Sequence, residues 1–442
     1  MKFMKFGKAL LISALSAGVI LGVTSCVQSY TVGYLYVTGT VTSQSNGNGI
    51  ITGFKIDHNT GQLRPVNGLP VSSGGANPVR AVLIDASRFL YVLNQGVSTN
   101  PAGSSICTIQ YPCSGANITQ FEVGANGILT AQQVFYTQGI NPFRMIADAG
   151  GTYIYVLEQS APSNAGCATL GLTTCGDITA FQVNTTTGRL QLVVNTQATS
   201  ATGSQLPYFP VPANPIDFTF SGTTLLTLNG TPATGDTVFP YQYNQVGGQL
   251  TVILNNPDSI GDVHQATAIV NTPSYVYVLD NEAPNPNPSG AASQLLPFSA
   301  VSGAMVAAPS GAIADDPTLS NPVWVAVGAG SAGGKWLYTL NYGNGGQNQP
   351  QSGIAGYTLN YPSPPTFING SPFGTGSGPQ CLVEDPTNQY FYAANFIDST
   401  VTGLWLDDRS GELNLLSDKT KAPNSYKLTG PATWCLVDGR TS

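Results

Sequence analysis

The sequence predicts an all-β chain folded as a seven-bladed β-propeller of four-stranded blades, and three observations carry that prediction. One aromatic strand recurs, as "FLYVLNQ" from Phe89, "YIYVLEQ" from Tyr153, "YVYVLDN" from Tyr275, "WLYTLNY" from Trp336 and "YFYAANF" from Tyr390. Three segment types then cycle in a fixed order, each occurring seven times. Their spacing of about 50 to 70 residues is the length of a four-stranded blade with its loops. Finally, the chain starts on the second segment type and ends on the first, so the two ends complete one blade.

Within a blade the first segment, strand A, is led by Pro, as in "NPVRAVLID" from Asn77, "NPFRMIAD" from Asn141 and "NPVWVAVGA" from Asn321. It is nearly all apolar, as suits an inner strand covered on both sides by neighbouring blades. Strand B is the aromatic one. Strands C and D form a hairpin, and "DHNTGQL", "NTTTGRL" and "DDRSGEL" put Gly where a tight turn needs positive φ. The N-terminal B strand "YLYVTGT" has no A strand before it, and the C-terminal A strand "GPATWCLVD" has no B strand after it. Pairing these two closes the ring and removes the open sheet edges.

The first residues stand apart from the repeats. "MKFMKFGK" carries Lys2, Lys5 and Lys8, and the apolar run "ALLISALSAGVILGV" follows, the charged and hydrophobic regions of an export signal. The run ends in "VTSC", which resembles a bacterial lipobox and implies cleavage before Cys26 with acyl chains on its sulfur. Residues 1–25 are therefore expected to be a leader and residues 26–442 the propeller domain. No Asp follows Cys26 at the second position, so the expected location is the outer membrane of the cell envelope, on its periplasmic or cell-surface side. The membrane, reached through Cys26, is one expected partner. Only 8% of residues are charged and the net charge is −7, or −10 without the three leader lysines. That balance argues against nucleic acid or an anionic membrane surface as the partner. The chain is expected to be a monomer.

Six cysteines follow Cys26. Cys107 and Cys113 share one loop and Cys167 and Cys175 another, so two local disulfides are expected in an oxidising compartment. Cys381 and Cys435 lie in strand segments, as buried thiols or as a bridge. No metal or cofactor is expected: no His flanks the cysteines at zinc-site spacing, no EF-hand spacing occurs, and G-x-S-x-G, P-loop and H-E-x-x-H signatures are missing.

Loop lengths are unequal. A-to-B and C-to-D turns are short, whereas the B-to-C links from Gln95, Gln159 and Asn281 and the links ahead of Asn214 and Asn321 are long. In an up-and-down blade all the long links emerge on one face, where strand A enters the central channel, and variable loops on a rigid scaffold suit binding. Two residues past the Pro position stand Arg80, Arg144, Asp217, Ala266, Trp324, Cys381 and Thr433, expected around the channel mouth. The ends of the B strands place Gly39, Asn94, Glu158, Asn229, Asp280, Asn341 and Asn395 there too. An Asn at a strand end commonly satisfies backbone groups, so Glu158 and Asp280 stand out.

The stretch "DPTNQYFYAANFIDSTVTGLWLDDRSGEL", from Asp385, resembles the lactonase family of seven-bladed propellers, which includes propeller-type 6-phosphogluconolactonase, and the strand ends resemble YVTN-type surface repeats. The family resemblance implies a His opening a strand like "HQATAIVN", with an acid ending the next strand, roles that fall on His264 and Asp280. Arg144 and Glu158 match further family positions in part. His264, Arg144, Glu158 and Asp280 are thus the candidate catalytic residues, and Arg80, Asp217, Trp324 and Gln380 the candidate ligand contacts. The sequence departs from the family pattern where Gln265 and Ala266 follow His264, and where Gln380 stands in place of an Arg. Two functions follow. One is binding of a small molecule or envelope protein on the loop-decorated face. The alternative is hydrolysis of a carbohydrate or related lactone, needing a water-activating group and cations at the carbonyl.

Overall fold

Every A, B and C segment forms a strand, and the chain closes into seven antiparallel sheets arranged as blades. The computed structural model describes residues 30–439 except 42–47, 85–87, 103–105, 201, 232–233, 254–256, 288, 302–303, 329–334, 345–350 and 361–362. Cys26 and the leader lie outside the described residues. Blade 1 combines the C-terminal strand Ala432–Asp438 as its A strand with Thr31–Thr40 and Asn48–Asp57 as B and C. Tyr34 to Gly39 pair antiparallel with residues 438 to 432, so the ring is closed by hydrogen bonds between the chain's two ends. The A strands of blades 2 to 7 are Pro78–Ile84, Ile140–Ala147, Pro215–Ser221, Ala266–Asn271, Pro322–Gly328 and Pro379–Glu384. Their B strands are Phe89–Asn94, Tyr153–Ser160, Thr224–Asn229, Val276–Asp280, Trp336–Asn341 and Tyr390–Asn395. In five blades the outer strand D is broken in two, the second piece pairing with the upper half of strand C. Helix is confined to one turn at Leu416–Thr420 and a 3-10 turn at Cys167–Leu170 among the described residues.

The repeated aromatic strand has a specific task. Its third residue is a Tyr whose hydroxyl donates to a hairpin glycine carbonyl of the next blade: Tyr36 to Gly127 (2.8 Å), Tyr91 to Gly188 (2.5 Å), Tyr155 to Gly248 (3.0 Å), Tyr338 to Gly411 (2.7 Å) and Tyr392 to Gly61 (2.7 Å). The last of these joins blade 7 to blade 1. The aromatic residue two positions earlier lies flat on the same glycine. A Cβ there would come within 2.3 to 2.7 Å of a ring carbon of Tyr34, Phe89, Tyr153, Trp336 or Tyr390. Each of these glycines also has φ between 65° and 79°. Gly is needed twice, for the turn and for the ring of the next blade. Leu226 takes the Tyr position in blade 4, which forgoes the clasp.

Between each pair of neighbouring blades lies one apolar core, seven in all. The seam between blades 7 and 1 holds Val32, Leu35, Tyr392 and Ala432, all buried, together with the disulfide Cys381–Cys435, whose Cα atoms are 5.7 Å apart. The question left by the sequence, thiols or a bridge, is thus answered by a bridge between two inner strands at the closing seam. The two expected loop disulfides, Cys107–Cys113 and Cys167–Cys175, are also formed. No helix among the described residues is long and apolar enough to cross a membrane.

Candidate functional site

Each A strand enters the channel with a bulge just past the residue opposite its B-strand end, and the pairing resumes at Arg80, Arg144, Asp217, Ala268, Trp324, Cys381 and Trp434. Two members differ from those read in the sequence. Ala266 lies opposite Asp280 as the prolines of other blades lie opposite their B-strand ends, which moves the ring position to Ala268. In blade 1 Thr433 takes the bulge, so Trp434 and not Thr433 holds the ring position. The signal for Trp434 was present in "GPATWCLVD", but the bulge sits one residue later than the Pro implies.

These residues form a file across the channel. Trp324 meets Trp434 edge-on at 4.9 Å, and the Arg80 guanidinium stacks on Trp434 at 4.1 Å from the ring centroid. Arg144 Nε donates to Asp217 Oδ1 at 3.2 Å, and Asp217 Oδ2 accepts the backbone N–H of Ile269 at 3.1 Å. Arg80 and Arg144 each donate to the carbonyl of their own bulge residue, Val79 and Phe143. Burial and the nearby Arg144 push the Arg80 guanidinium below its ordinary range, with Asp217 opposing. Blades 5 and 7 contribute only the small Ala268 and the disulfide-bonded Cys381 at this level, leaving room for the two indoles. Gln380 is the half-buried bulge residue of blade 7.

Glu158 and Asp280 occupy a different layer. With Asn94, Asn229, Asn341 and Asn395 they form a ring of fully buried B-strand ends, each paired to strand C of its own blade. Asn94 donates to Asn117 and to Ser73 O in blade 2. In blade 3 the same pair of positions holds Glu158 and Asp177, two carboxyls side by side. Glu158 Oε2 accepts from Thr179 (2.6 Å) and from the N–H of Gly139 (2.9 Å), while its Oε1 and both Asp177 oxygens lack a protein donor. Burial pushes both groups upward, which favours one proton shared between them.

A carboxyl raised on folding adds stability that is full below the ordinary carboxylate range and is lost as pH climbs toward the folded value. Asp177→Asn is expected to copy the Asn94–Asn117 pair and to flatten the loss between mildly acidic and neutral pH. The gain at neutral pH should be about 1–3 kcal/mol, the cost of a buried polar group without a partner. Urea unfolding of both proteins across that pH range checks it, and equal slopes would reject the shared proton.

His264 lies ahead of strand A in blade 5, on the loop-decorated face. Its Nδ1 is 3.4 Å from Asp262 and 3.5 Å from Glu282, and its N–H donates to Glu282. The N–H of Glu282 in turn donates to Asp280, whose carboxyl, also bound by Gln294, is pushed up to about 6 by burial. His264 and Asp280 are thus linked through Glu282. Arg144 is engaged in the channel file, and Glu158 is enclosed in blade 3.

The decorated face offers a groove of its own. The Cys107–Cys113 loop is pinned to the start of blade 3 by Asn141, which accepts from Cys113 N–H (2.7 Å) and donates to Thr108 O and Gln159. Asn141 has φ 57°, a conformation Asn tolerates, and Asn77, Asn214 and Asn321 repeat it ahead of their prolines. Below the loop lies a hollow of about 610 Å³ lined by Ile106, Ile109, Gln159, Asn214, Pro215 and Ile216. Ile106 and Ile109 are 69% and 67% exposed on a disulfide-held loop. The sequence marked this loop as an insertion; its overhang above the start of blade 4 was invisible there.

The fold is that of a seven-bladed propeller whose structural neighbours are 6-phosphogluconolactonase-like proteins. A candidate 6-phosphogluconolactonase from Bacteroides fragilis superposes with a TM-score of 0.63 at 15% identity, over 92% of this chain and 98% of its own. The Pseudomonas aeruginosa periplasmic gluconolactonase PpgL gives 0.61 at 16% identity, over 93% of this chain and 99% of its own. At such identities the likeness is one of fold. No protein-family model and no curated protein matches the sequence.

Proposed function

We propose that the chain is a lipid-anchored cell-envelope propeller that binds a ligand or partner through its loop-decorated face, at the groove beneath the Cys107–Cys113 loop. The observation that carries this reading is the dispersal of the four acid–base candidates beside an open groove. Arg144 is paired in the channel, Glu158 is enclosed in a blade, and only His264 and Asp280 share a neighbourhood. The links on this face, 95–116, 159–176, 199–214 and 281–293 among them, contain no Lys or Arg. A neutral or cationic ligand with an apolar part therefore fits better than an anion. Three disulfides agree with an oxidising compartment, and Cys26 supplies the anchor.

The second reading is lactone hydrolysis, favoured by His264 lying among Asp262 and Glu282 with the raised Asp280 carboxyl behind them, and by the activity PpgL is named for. A soluble Cys26→Ala protein without its leader, screened against carbohydrate and aromatic lactones, separates the two. The binding reading expects no turnover, and a rise in Tm with a screened compound that Ile109→Asp abolishes. Saturation at about 100 times Kd adds roughly 2.7 kcal/mol. Turnover that falls about 100-fold or more in both His264→Ala and Arg144→Ala would establish the hydrolase instead.

A further inference from the structure

We infer that the face opposite the decorated loops, formed by the A-to-B turns and C-to-D hairpins, seats against the membrane headgroups, so that the groove points away from the bilayer. The inference rests on the lipid-anchor reading of Cys26. Strand B of blade 1 begins at Thr31 on the hairpin face, and Tyr30 just before it is tied there. Its carbonyl accepts from His58 N–H (3.0 Å) in the first hairpin, and its ring lies 4.4 Å from the His58 ring. Tyr30 lies four residue steps after Cys26. At about 3.5 Å per residue they span at most roughly 14 Å, which cannot carry the anchor around a blade to the other face, because one strand of about six residues is already roughly 20 Å long.

Cations are present on the same face. Beyond the leader the chain has twelve Lys and Arg, the fifteen of the full sequence less Lys2, Lys5 and Lys8. Lys55, Arg64, Arg88, Arg189, Lys335 and Arg409 sit in or beside the hairpins and A-to-B turns, and all but the half-buried Lys55 are exposed. They are interspersed with Asp57, Asp148, Asp385, Asp407, Asp408, Glu412 and Asp438. Lys419 and Lys421 lie on the outer edge of blade 7, Lys427 at the decorated end of that edge, and Arg80 and Arg144 in the channel, while Arg440 lies outside the described residues. The decorated face holds Asp262, Glu282, Asp316 and Asp398, with Lys427 beside Thr400 at the start of strand C in blade 7.

Beside the anchor a hollow of about 300 Å³ is lined by Tyr30, Lys55, Asp57, Arg64 and Asn67. The Arg64 side chain is 63% exposed and stands 3.8 Å from Asp57. An exposed Tyr next to two cations, within reach of the acyl chains, is suited to lipid phosphate.

The full chain, isolated with its lipid, would be incorporated into phosphatidylcholine vesicles with and without phosphatidylglycerol, next to the Cys26→Ala chain. A fluorophore would be placed at the hairpin tip by Val246→Cys or on the decorated face by Ala102→Cys, and quenched by headgroup spin labels. The expected result is flotation that Cys26→Ala abolishes, with stronger quenching at position 246 than at 102. Lys55→Glu and Arg64→Glu should each weaken the phosphatidylglycerol-dependent part of the quenching about fivefold, the equivalent of about 1 kcal/mol per cation. A chain that floats with position 102 quenched as strongly as 246 overturns the orientation alone. Quenching indifferent to both substitutions overturns the phosphate contact. Failure to float, or flotation unchanged by Cys26→Ala, removes the anchor reading and the orientation with it.

Discussion

A chain lacking residues 430–442 is expected to aggregate or to melt far below the parent. The deletion takes the whole A strand of blade 1, which pairs with Tyr34 to Gly39. Trp434 and Leu436 pack against the core between blades 1 and 2, and Ala432, Cys435 and Val437 against the core between blades 7 and 1. Uncovering on the order of 400 Å² of apolar surface at about 25 cal/mol per Å² costs about 10 kcal/mol, within the whole stability margin of about 5–15 kcal/mol. The loss also strips the indole from beneath Arg80 and leaves Cys381 without its partner. Circular dichroism melting with sedimentation of the two proteins is the measurement. A truncated chain with the parent's Tm would refute closure by the two ends.

The Cys381→Ala, Cys435→Ala double variant should have the next largest effect. The bridge spans 54 residues and ties the inner strand of blade 7 to the C-terminal inner strand of blade 1, the strand that closes the ring. Loop-closure entropy for that separation amounts to about 4 kcal/mol, a fall in Tm of roughly 5–10 °C. Removing Cys107–Cys113, which spans only 6 residues, should cost about half as much and chiefly loosen the decorated loop. Calorimetry of the two double variants compares them directly, and equal losses would show that the seam needs no staple.

Much of the architecture was legible because the relevant patterns are local. The aromatic strand, Pro-led apolar runs and Gly-bearing hairpins each lie within a dozen residues, and they mark strand order, blade number and the face that bears long loops. The ring of Arg80, Arg144, Asp217 and Trp324 was readable for the same reason, since each stands two residues past its Pro. The ring failed only where blade 5 lacks that Pro and where the bulge of blade 1 falls one residue later. Glu158 and Asp280 looked exceptional against a row of Asn, yet both are buried B-strand ends that contact strand C as the Asn residues do.

Tertiary structure alone decided which distant residues meet. The sequence by itself determined seven blades closed by the last strand, two short-range disulfides and a loop-bearing face, because strand periodicity, turn chemistry and short cysteine spacing are properties of neighbouring residues. It did not determine that Tyr392 reaches Gly61 across 331 positions, that Cys381 meets Cys435, or that Trp324 and Trp434 fill the channel beside Arg80. Those contacts join residues on different blades. Their distance is set by the radius of the closed ring and the register of each bulge, which appear only when all seven sheets pack together.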